Sequence, residues 1–478
     1  MKIIFINPRY DETKFRYRVN KIGPALGMAY ISSVLLREGH EVKILDMEIL
    51  QMEWDALPSY LSKESPDLVG IHGTTPISNF IAICAKTVKE TCPKAIVVVG
   101  GPHATLLPET VLIDIPSVDF ILRGEAEFTM RDLVDQLEAG ADKDTLKKIP
   151  GIGFRLGSHL FVSSEMPKID DLDSLPFPAY DLLPLDTICN WSRLAETGKD
   201  ERVFTMMTSR GCPYSCIFCS GPVLYGHKFR ARSAKNVVDE MSKLVRDYGV
   251  SHIIFYDSSF SMDTGRVERI CQEIIDRSLK VTWRARIRPG SIDLPLLRLM
   301  KTAGCLALGI GVESGSQRLL DLLGKRCSIA DIESTFRMAK DVGMWTVAYF
   351  MLGIPSETKE ESYQTVEFAK RLDPDWALFS TATPLPGTAL FELAKDRLIT
   401  KDWSKYRFSA NSPVISYEGM SEKDLSEMMD YAFRAFYVRR EWLMNRLKKA
   451  TQAVQTERIL ESFFFYLDKA LKDSNPLI

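Results

Sequence analysis

Long hydrophobic runs, net charge, repeats and cysteine are all scarce in this sequence, and each scarcity excludes a class of protein. No apolar run approaches the ~20 residues that a membrane-spanning helix needs; AIVVV (95–99) and VAYFML (347–352) are strand length. The apolar start, MKIIFIN, is cut short by Pro8 and Arg9, so no secretory leader is expected and the cytoplasm is the expected compartment. Lys and Arg number 61 against 63 Asp and Glu, and a formal charge of −2 gives no electrostatic footprint for nucleic acid. Nine cysteines in 478 residues are too few for a disulfide scaffold. No fixed-period repeat or low-complexity tract occurs. What is present, 45% hydrophobic and 26% charged residues, is the composition of an ordinary globular chain. Its length corresponds to about three domains.

Two series of alternating segments organise the chain. In the first, KIIFIN (2–7), EVKILD (41–46), DLVGIHG (67–73), AIVVVGG (95–101) and VDFILRGEAE (118–127) read as strands with their following loops. GMAYISSVLLREG (27–39), SNFIAICAKTVKETC (78–92) and FTMRDLVDQLEAG (128–140) read as helices between and after them. Continuous β-branched runs in this order predict a doubly wound parallel sheet of the α/β class. From about 150 to 200 the periodicity weakens, and LPFPAYDLLP (175–184) reads as a linker. The second series starts at VFTMMTS (203–209) and continues through HIIFYDSS (252–259), VTWRARI (281–287), LALGIGVES (306–314), WTVAYFMLG (345–353) and DWALFSTATP (375–384). Each is coupled to a helical segment, which predicts an open (β/α)6 barrel with its site at the C-terminal strand ends. The charge-rich stretch 422–450, with aromatics at helical spacing, predicts a helix packed on that barrel.

Three of the nine cysteines crowd into one loop: Cys212, Cys216 and Cys219 in SRGCPYSCIFCSGP. In a reducing compartment such crowding points to metal or redox chemistry. A structural zinc wants four protein ligands, and an ordinary four-iron cluster wants four thiolates, yet no fourth cysteine lies near in sequence. Three thiolates on a cubane leave one iron open to a chelating substrate.

The loop, with Phe218 before its third cysteine, resembles the motif of the radical S-adenosylmethionine (SAM) superfamily, and the resemblance covers the whole barrel. It implies a 4Fe–4S cluster on Cys212, Cys216 and Cys219, whose open iron takes the amino and carboxylate groups of SAM. One electron then gives methionine and a 5′-deoxyadenosyl radical, so a donor such as ferredoxin or flavodoxin is implied as well. By the same resemblance Asp257, in FYDSSF, contacts the methionine amino group, although the family's Gly-Gly-Glu is replaced here by Tyr-Asp-Ser. Glu313 and Ser314 in GVESGS hold ribose or methionine, Gly353 in MLGIPSET lets adenine approach the backbone, and TPLPGT (383–388) forms the adenine-side loop. Tyr256, Tyr349 and Arg286 are left without roles, because the sequence does not fix strand parity.

A sheet of this kind ahead of such a barrel resembles the cobalamin-binding domain of the superfamily's cobalamin-dependent branch. The resemblance rests on GPALGMAYISSVLLREGHEV (23–42), GIHGTTP (70–76), GGPHAT (100–105) and RGEAE (123–127). It implies corrin contacts from Gly73, Thr74, Thr75, Gly101, Pro102, His103, Gly124 and Glu125, in the crevice where doubly wound sheets bind ligands. The Asp-x-His-x-x-Gly motif of many cobalamin domains is absent, which implies a cobalt held with neither its own base nor that histidine and leaves His72 and His103 as residual candidates for a lower ligand. A flavodoxin-like sheet binding FMN or a nucleotide is the rival, but no Gly-x-Gly-x-x-Gly follows the first strand.

The expected organisation is a cobalamin-binding Rossmann-like domain at 1–145, a linker at 146–200, a radical SAM partial barrel at 201–400 and a helical C-terminal cap at 401–478. The expected function is a C-methyltransferase acting on an unactivated carbon of a small molecule or of a protein side chain such as Gln or Arg, through the 5′-deoxyadenosyl radical and methylcobalamin. The alternative is an oxidative cyclase or ring-forming enzyme acting on a tetrapyrrole or lipid, which the resemblance to the anaerobic magnesium-protoporphyrin monomethyl ester cyclase permits. A non-catalytic cobalamin sensor is the rival from another class, and the intact three-cysteine loop speaks against it.

Overall fold

Ile3, Ile4, Phe5 and Ile6 are all buried, and so are Val97, Val98 and Val99, because their strands lie between two layers of helices. The computed structural model describes residues 1–10, 24–191, 201–407, 413–417 and 419–445, and these form two compact units. The first unit comprises Met1–Ile188 with Gly221–Gly226 and Asp402–Ser404. Its strands are β1 (Lys2–Asn7), β2 (Glu41–Asp46), β3 (Leu68–His72), β4 (Ile96–Gly100), β5 (Phe120–Leu122), β6 (Ile152–Leu156) and β7 (His159–Val162). They lie in the order β2-β1-β3-β4-β5-β6-β7, parallel as far as β5. The order reverses between β1 and β3, so a crevice opens beyond the carboxyl ends of the strands, as in doubly wound sheets that bind ligands.

The stretch read as a linker is more structured than its composition suggests. β6 and β7 form an antiparallel hairpin that extends the sheet beyond β5. They are short, joined through Gly157 at φ +61°, and only half-buried from Arg155 onward, so the sequence carries little periodicity there.

The second unit holds the barrel strands: β8 (Val203–Met206), the short antiparallel pair β9 (Ser209–Arg210) and β10 (Arg230–Ala231), then β11 (His252–Phe255), β12 (Thr282–Ile287), β13 (Cys305–Glu313), β14 (Trp345–Leu352) and β15 (Trp376–Thr381). Six of these make one parallel sheet in the order β15-β14-β13-β12-β11-β8, an open half-barrel with β8 and β15 at its edges. The helices between them begin at polar caps. Ser233 accepts the Asn236 amide at 3.2 Å and Asp263 the Arg266 amide at 2.8 Å, while Gly249 ends Ala234–Tyr248 in the left-handed region.

Register separates the two faces of this sheet. Phe255, Trp283, Ala285, Leu308, Ile310 and Val312 are fully buried toward the helices, and Phe255 packs on Phe260 and Trp283 at 4.7 and 5.4 Å. The opposite, concave face carries the alternate residues: Arg284 pairs with Ile254, Arg286 with Gly309, and Gly311 with Tyr349. The β15 edge is covered by helix Glu422–Tyr437 and the short segment after it. Tyr437 Oη donates to the Ala377 carbonyl at 2.7 Å and accepts the Ala377 amide at 3.1 Å, and Trp442 Nε1 donates to the Asp375 carbonyl at 3.2 Å. The expected continuation at 446–450, the rest of the cap to 478 and Gly23 lie outside the described residues. No helix among the described residues is long and apolar enough to cross a membrane.

Two left-handed glycines give a test of this packing. Gly304 (φ +95°) leads into β13, and a Cβ there would sit 2.5 Å from the Val281 carbonyl oxygen; at Gly343 (φ +67°) nothing lies within 4 Å. Gly343→Ala is expected to cost about 1–2 kcal/mol from backbone strain alone, and Gly304→Ala more than about 3 kcal/mol from strain plus the clash. Thermal unfolding of the two variants should show the larger drop for Gly304→Ala.

Candidate active site

The cysteine loop leaves β9 through Gly211 (φ +82°), a conformation that a side chain would strain. Backbone bonds then fix it to the ends of two other strand–helix units. The Ile217 amide donates to the Leu323 carbonyl at 3.1 Å, and the Leu390 amide to the Ile217 carbonyl at 2.9 Å. Gly324 presses against the loop so closely that its Cβ would lie 3.1 Å from the Ser215 carbonyl oxygen. Cys212, Cys216 and Cys219 are half-buried and form no disulfide, and Phe218 is half-buried among them. Among the described residues no three His, Cys, Asp or Glu side chains converge as they would around a single ion.

Two cations stand beside the thiols, and sequence reasoning named neither. The Arg288 guanidinium lies 4.0 Å from Cys216 Sγ and 3.6 Å above the Tyr214 ring. Burial raises the Cys212 thiol above its ordinary range, and Arg288 and Lys325 act in the opposite direction. Lys325 is itself buried and pairs with Glu313 at 2.6 Å. Glu313 follows a register shift between Gly311 and Glu313 and holds a positive φ of 68°, a strained conformation for a residue with a side chain. A Cβ on Gly311 would fall 2.6 Å from Glu313 Oε1 and 2.7 Å from Lys325 Nζ, so that glycine leaves room for the pair. Lys325 reaches this place through the turn after helix Gln317–Leu322, which no strand or helix period announces.

Asp257 is placed differently from the expectation. It is buried and turned toward the end of β8, where it accepts the Thr208 amide and the Ser209 hydroxyl, each at 2.7 Å, and the Thr208 hydroxyl. With three of about four acceptor positions filled, its carboxylate is an anchor for the strand that feeds the cysteine loop. Arg266 completes the knot by donating to the Thr208 and Arg232 carbonyls at 2.9 and 2.8 Å, and Arg232 pairs with Glu240. Strand alternation instead exposes Tyr256 and Ser258 beside Asp257. Ser314 also turns away from the concave face, meeting the Thr365 hydroxyl at 3.2 Å and accepting the Ser316 amide at 3.1 Å. Gly353 has φ +76° and a Cβ position 2.5 Å from Leu425, so close helix approach demands a glycine there. Beside it the Glu357 carboxylate accepts the Ile354 amide and the Ser362 hydroxyl, each at 2.8 Å, and burial pushes it up to about 7.

In the first unit, Gly73 and Gly101 bring the loops after β3 and β4 together. A Cβ on Gly101 would lie 2.8 Å from the Gly73 carbonyl oxygen and 3.0 Å from His72 Nδ1. The His103 amide donates to that same carbonyl at 3.1 Å, and its ring meets the Thr75 hydroxyl at 3.4 Å. Thr74 and Pro102 stand half-buried beside them. This Gly- and Thr-lined cradle at the strand ends fits a large amide-fringed ring. Burial lowers both His72 and His103 to about 4, which keeps the imidazoles neutral at ordinary pH. Gly124 and Glu125 serve another purpose in the structure: they dock the segment after β7. A Cβ on Gly124 would strike Met166 at 2.6 Å, and Glu125 Oε2 accepts the Ile169 amide at 2.9 Å.

Comparison with known proteins agrees with this geometry. The model of the radical SAM superfamily matches residues 206–369, and that of the B12 binding domain matches residues 16–134. An uncharacterized methyltransferase of Pyrococcus horikoshii is 34% identical over 92% of this chain and 93% of its own. The anaerobic magnesium-protoporphyrin IX monomethyl ester cyclase of Cereibacter sphaeroides is 30% identical over 92% of this chain and 71% of its own. A solved cobalamin-dependent SAM radical enzyme, OxsB, superposes with a TM-score of 0.76 at 18% identity, covering 98% of this chain and 70% of that one, a likeness of fold. The chain therefore belongs to the radical SAM superfamily, in its branch with a B12-binding domain. It is a radical SAM enzyme whose cofactors are a 4Fe–4S cluster, SAM and cobalamin, and its named relatives include methyltransferases.

Two outcomes follow. Asp257→Ala should leave the Thr208 and Ser209 donors unsatisfied, cost about 2–4 kcal/mol and lower iron retention after reconstitution. A variant that keeps its iron and its melting temperature and only weakens SAM binding would return Asp257 to the role of ammonium acceptor. For Glu357, the folded-state pKa lies above the ordinary carboxylate value, so folding favours the neutral form. The associated stability is present at pH 4 and is lost as pH rises toward 7. Denaturant unfolding between those pH values should therefore fall more steeply with rising pH in the wild type than in Glu357→Gln.

Proposed function

We propose that the chain is a cobalamin-dependent radical SAM C-methyltransferase acting on an unactivated carbon of a small molecule or a protein side chain. The observation that carries this reading is the loop of three cysteines clamped to the strand ends of the half-barrel, with Arg288 and Lys325 beside it. Bound there and in the first unit, cluster and cobalamin supply the electron that cleaves SAM and the carrier for its methyl group. The residues of the chain bind and orient. Cys212, Cys216 and Cys219 would hold the cluster, one iron each, with the Arg288 guanidinium 4.0 Å from Cys216 Sγ. The Lys325–Glu313 pair offers an ammonium to the SAM carboxylate and a carboxylate to the ribose hydroxyls. Phe218 and the backbone at Gly353 flank the adenosyl part. Gly73, Thr74, Thr75, Gly101, Pro102 and His103 face the corrin. A low-potential one-electron donor such as a ferredoxin or flavodoxin supplies the reductant, and the reducing cytoplasm suits three crowded thiols.

Oxidative ring formation is the second reading, favoured by the identity with the porphyrin cyclase. Product analysis separates the two. The methyltransferase reading expects reconstituted protein, given SAM and a strong reductant, to release 5′-deoxyadenosine, and S-adenosylhomocysteine only when cobalamin is present. 5′-Deoxyadenosine without S-adenosylhomocysteine would move the assignment to the cyclase, and neither product would defeat both. Cys219→Ala should abolish both products.

A further inference from the structure

Arg286 occupies the concave face one row below the cysteine loop. Arg288, which reaches Cys216, follows two residues later, just past the end of β12, so the rows are about 7 Å apart. The Arg286 guanidinium lies 5.0 Å from the Tyr256 ring and 5.9 Å from the Tyr349 ring. Tyr349 stands two strands away and reaches it because the intervening residue is Gly309. A Cβ at Gly309 would lie 3.1 Å from Tyr349 Cε2 and 3.3 Å from Arg286 Cγ. Arg286 is exposed on this face, and among the described residues its guanidinium has no carboxylate partner. The neighbouring acids are committed elsewhere, Glu313 to Lys325 and Asp257 to Thr208 and Ser209.

An exposed arginine without a partner is ordinarily free to sample many rotamers. Here two aromatic rings hold it, and cation–π contact engages the guanidinium while leaving N–H donors for a ligand. A planar fork held in place matches the paired oxygens of a carboxylate or phosphoryl group, and holding it beforehand lowers the entropy lost on binding.

We propose that Arg286, held between Tyr256 and Tyr349, is the recognition site for an oxyanion of the substrate, so that the molecule acted on carries a carboxylate or a phosphoryl group. The inference rests on the methyltransferase reading above and takes the concave face of the half-barrel as the side that receives the substrate.

The test uses the reconstituted holoenzyme and phenylglyoxal, an arginine-selective reagent, with peptide mass spectrometry reading the rate of modification at Arg286. Propionate and methylphosphonate represent the two oxyanion sources, and propanol is the neutral control. At least one anion should slow modification about tenfold, and propanol should leave it unchanged. Protection by propionate assigns a carboxylate and protection by methylphosphonate a phosphoryl group; either supports the site. Equal rates with and without both anions overturn it. Full protection by SAM alone also overturns it, since Arg286 would then belong to the SAM site. Calorimetry gives a second readout: Arg286→Gln should weaken binding of the protecting anion about tenfold, with Arg286→Lys recovering part of the loss. Unchanged affinity in Arg286→Gln contradicts the proposal. Wild-type protein that releases 5′-deoxyadenosine yet shows no protection defeats the oxyanion site alone. Protection in protein that never turns over SAM defeats the functional reading instead.

Discussion

The carboxylate of Asp257 holds the end of β8, and the geometry of the site depends on that hold. Thr208 and Ser209 supply an amide and two hydroxyls to it, Arg266 and Arg232 bind the carbonyls around it, and the cysteine loop starts two residues later at Gly211. Within the loop the Cys219 amide donates to the Cys216 carbonyl at 3.1 Å. Its shape is also held from outside, by β8, by the turn at Leu323 and Gly324 and by Leu390. Most polar atoms of this buried knot are paired, Arg266 Nη1 being the exception, and such pairing favours a single arrangement.

The same economy governs the half-barrel. Its convex face is dry and packed on helices, so side-chain direction along each strand is fixed by burial. The concave face inherits whatever remains, and β12 and β13 contribute arginines and glycines to it. Gly309 and Gly311 are small where Tyr349, Arg286, Lys325 and Glu313 need room. Glu313 is strained at φ +68° immediately after the register shift, and its buried ion pair with Lys325 holds it there. Strain, close glycines and paired charges thus gather at one end of one sheet.

Much of this was legible in the sequence, and the part that was not has a common cause. All six barrel strands, the doubly wound order of the first sheet and the three cysteines follow from local patterns of apolar residues and spacing. Side-chain direction does not. Asp257, Ser314 and Glu125 have suitable chemistry at suitable loop positions, yet each points into its own unit's framework, because the direction of a loop side chain is set by tertiary hydrogen bonds that no local pattern announces. Arg288 and Lys325 were missed because tertiary contact alone brings them to the thiols. The hairpin of β6 and β7 was missed because four- and five-residue strands around Gly157 leave too few positions to show a period.

The central claim is that one chain holds a SAM-binding 4Fe–4S cluster in its half-barrel and a corrin in its doubly wound sheet. Electron paramagnetic resonance of the anaerobically reconstituted, reduced protein, with and without SAM and alongside an optical count of retained cobalamin, tests it most directly. The account predicts a reduced four-iron signal that SAM shifts, together with cobalamin that stays bound through gel filtration. A cluster signal indifferent to SAM, or a protein that sheds its cobalamin, would contradict it.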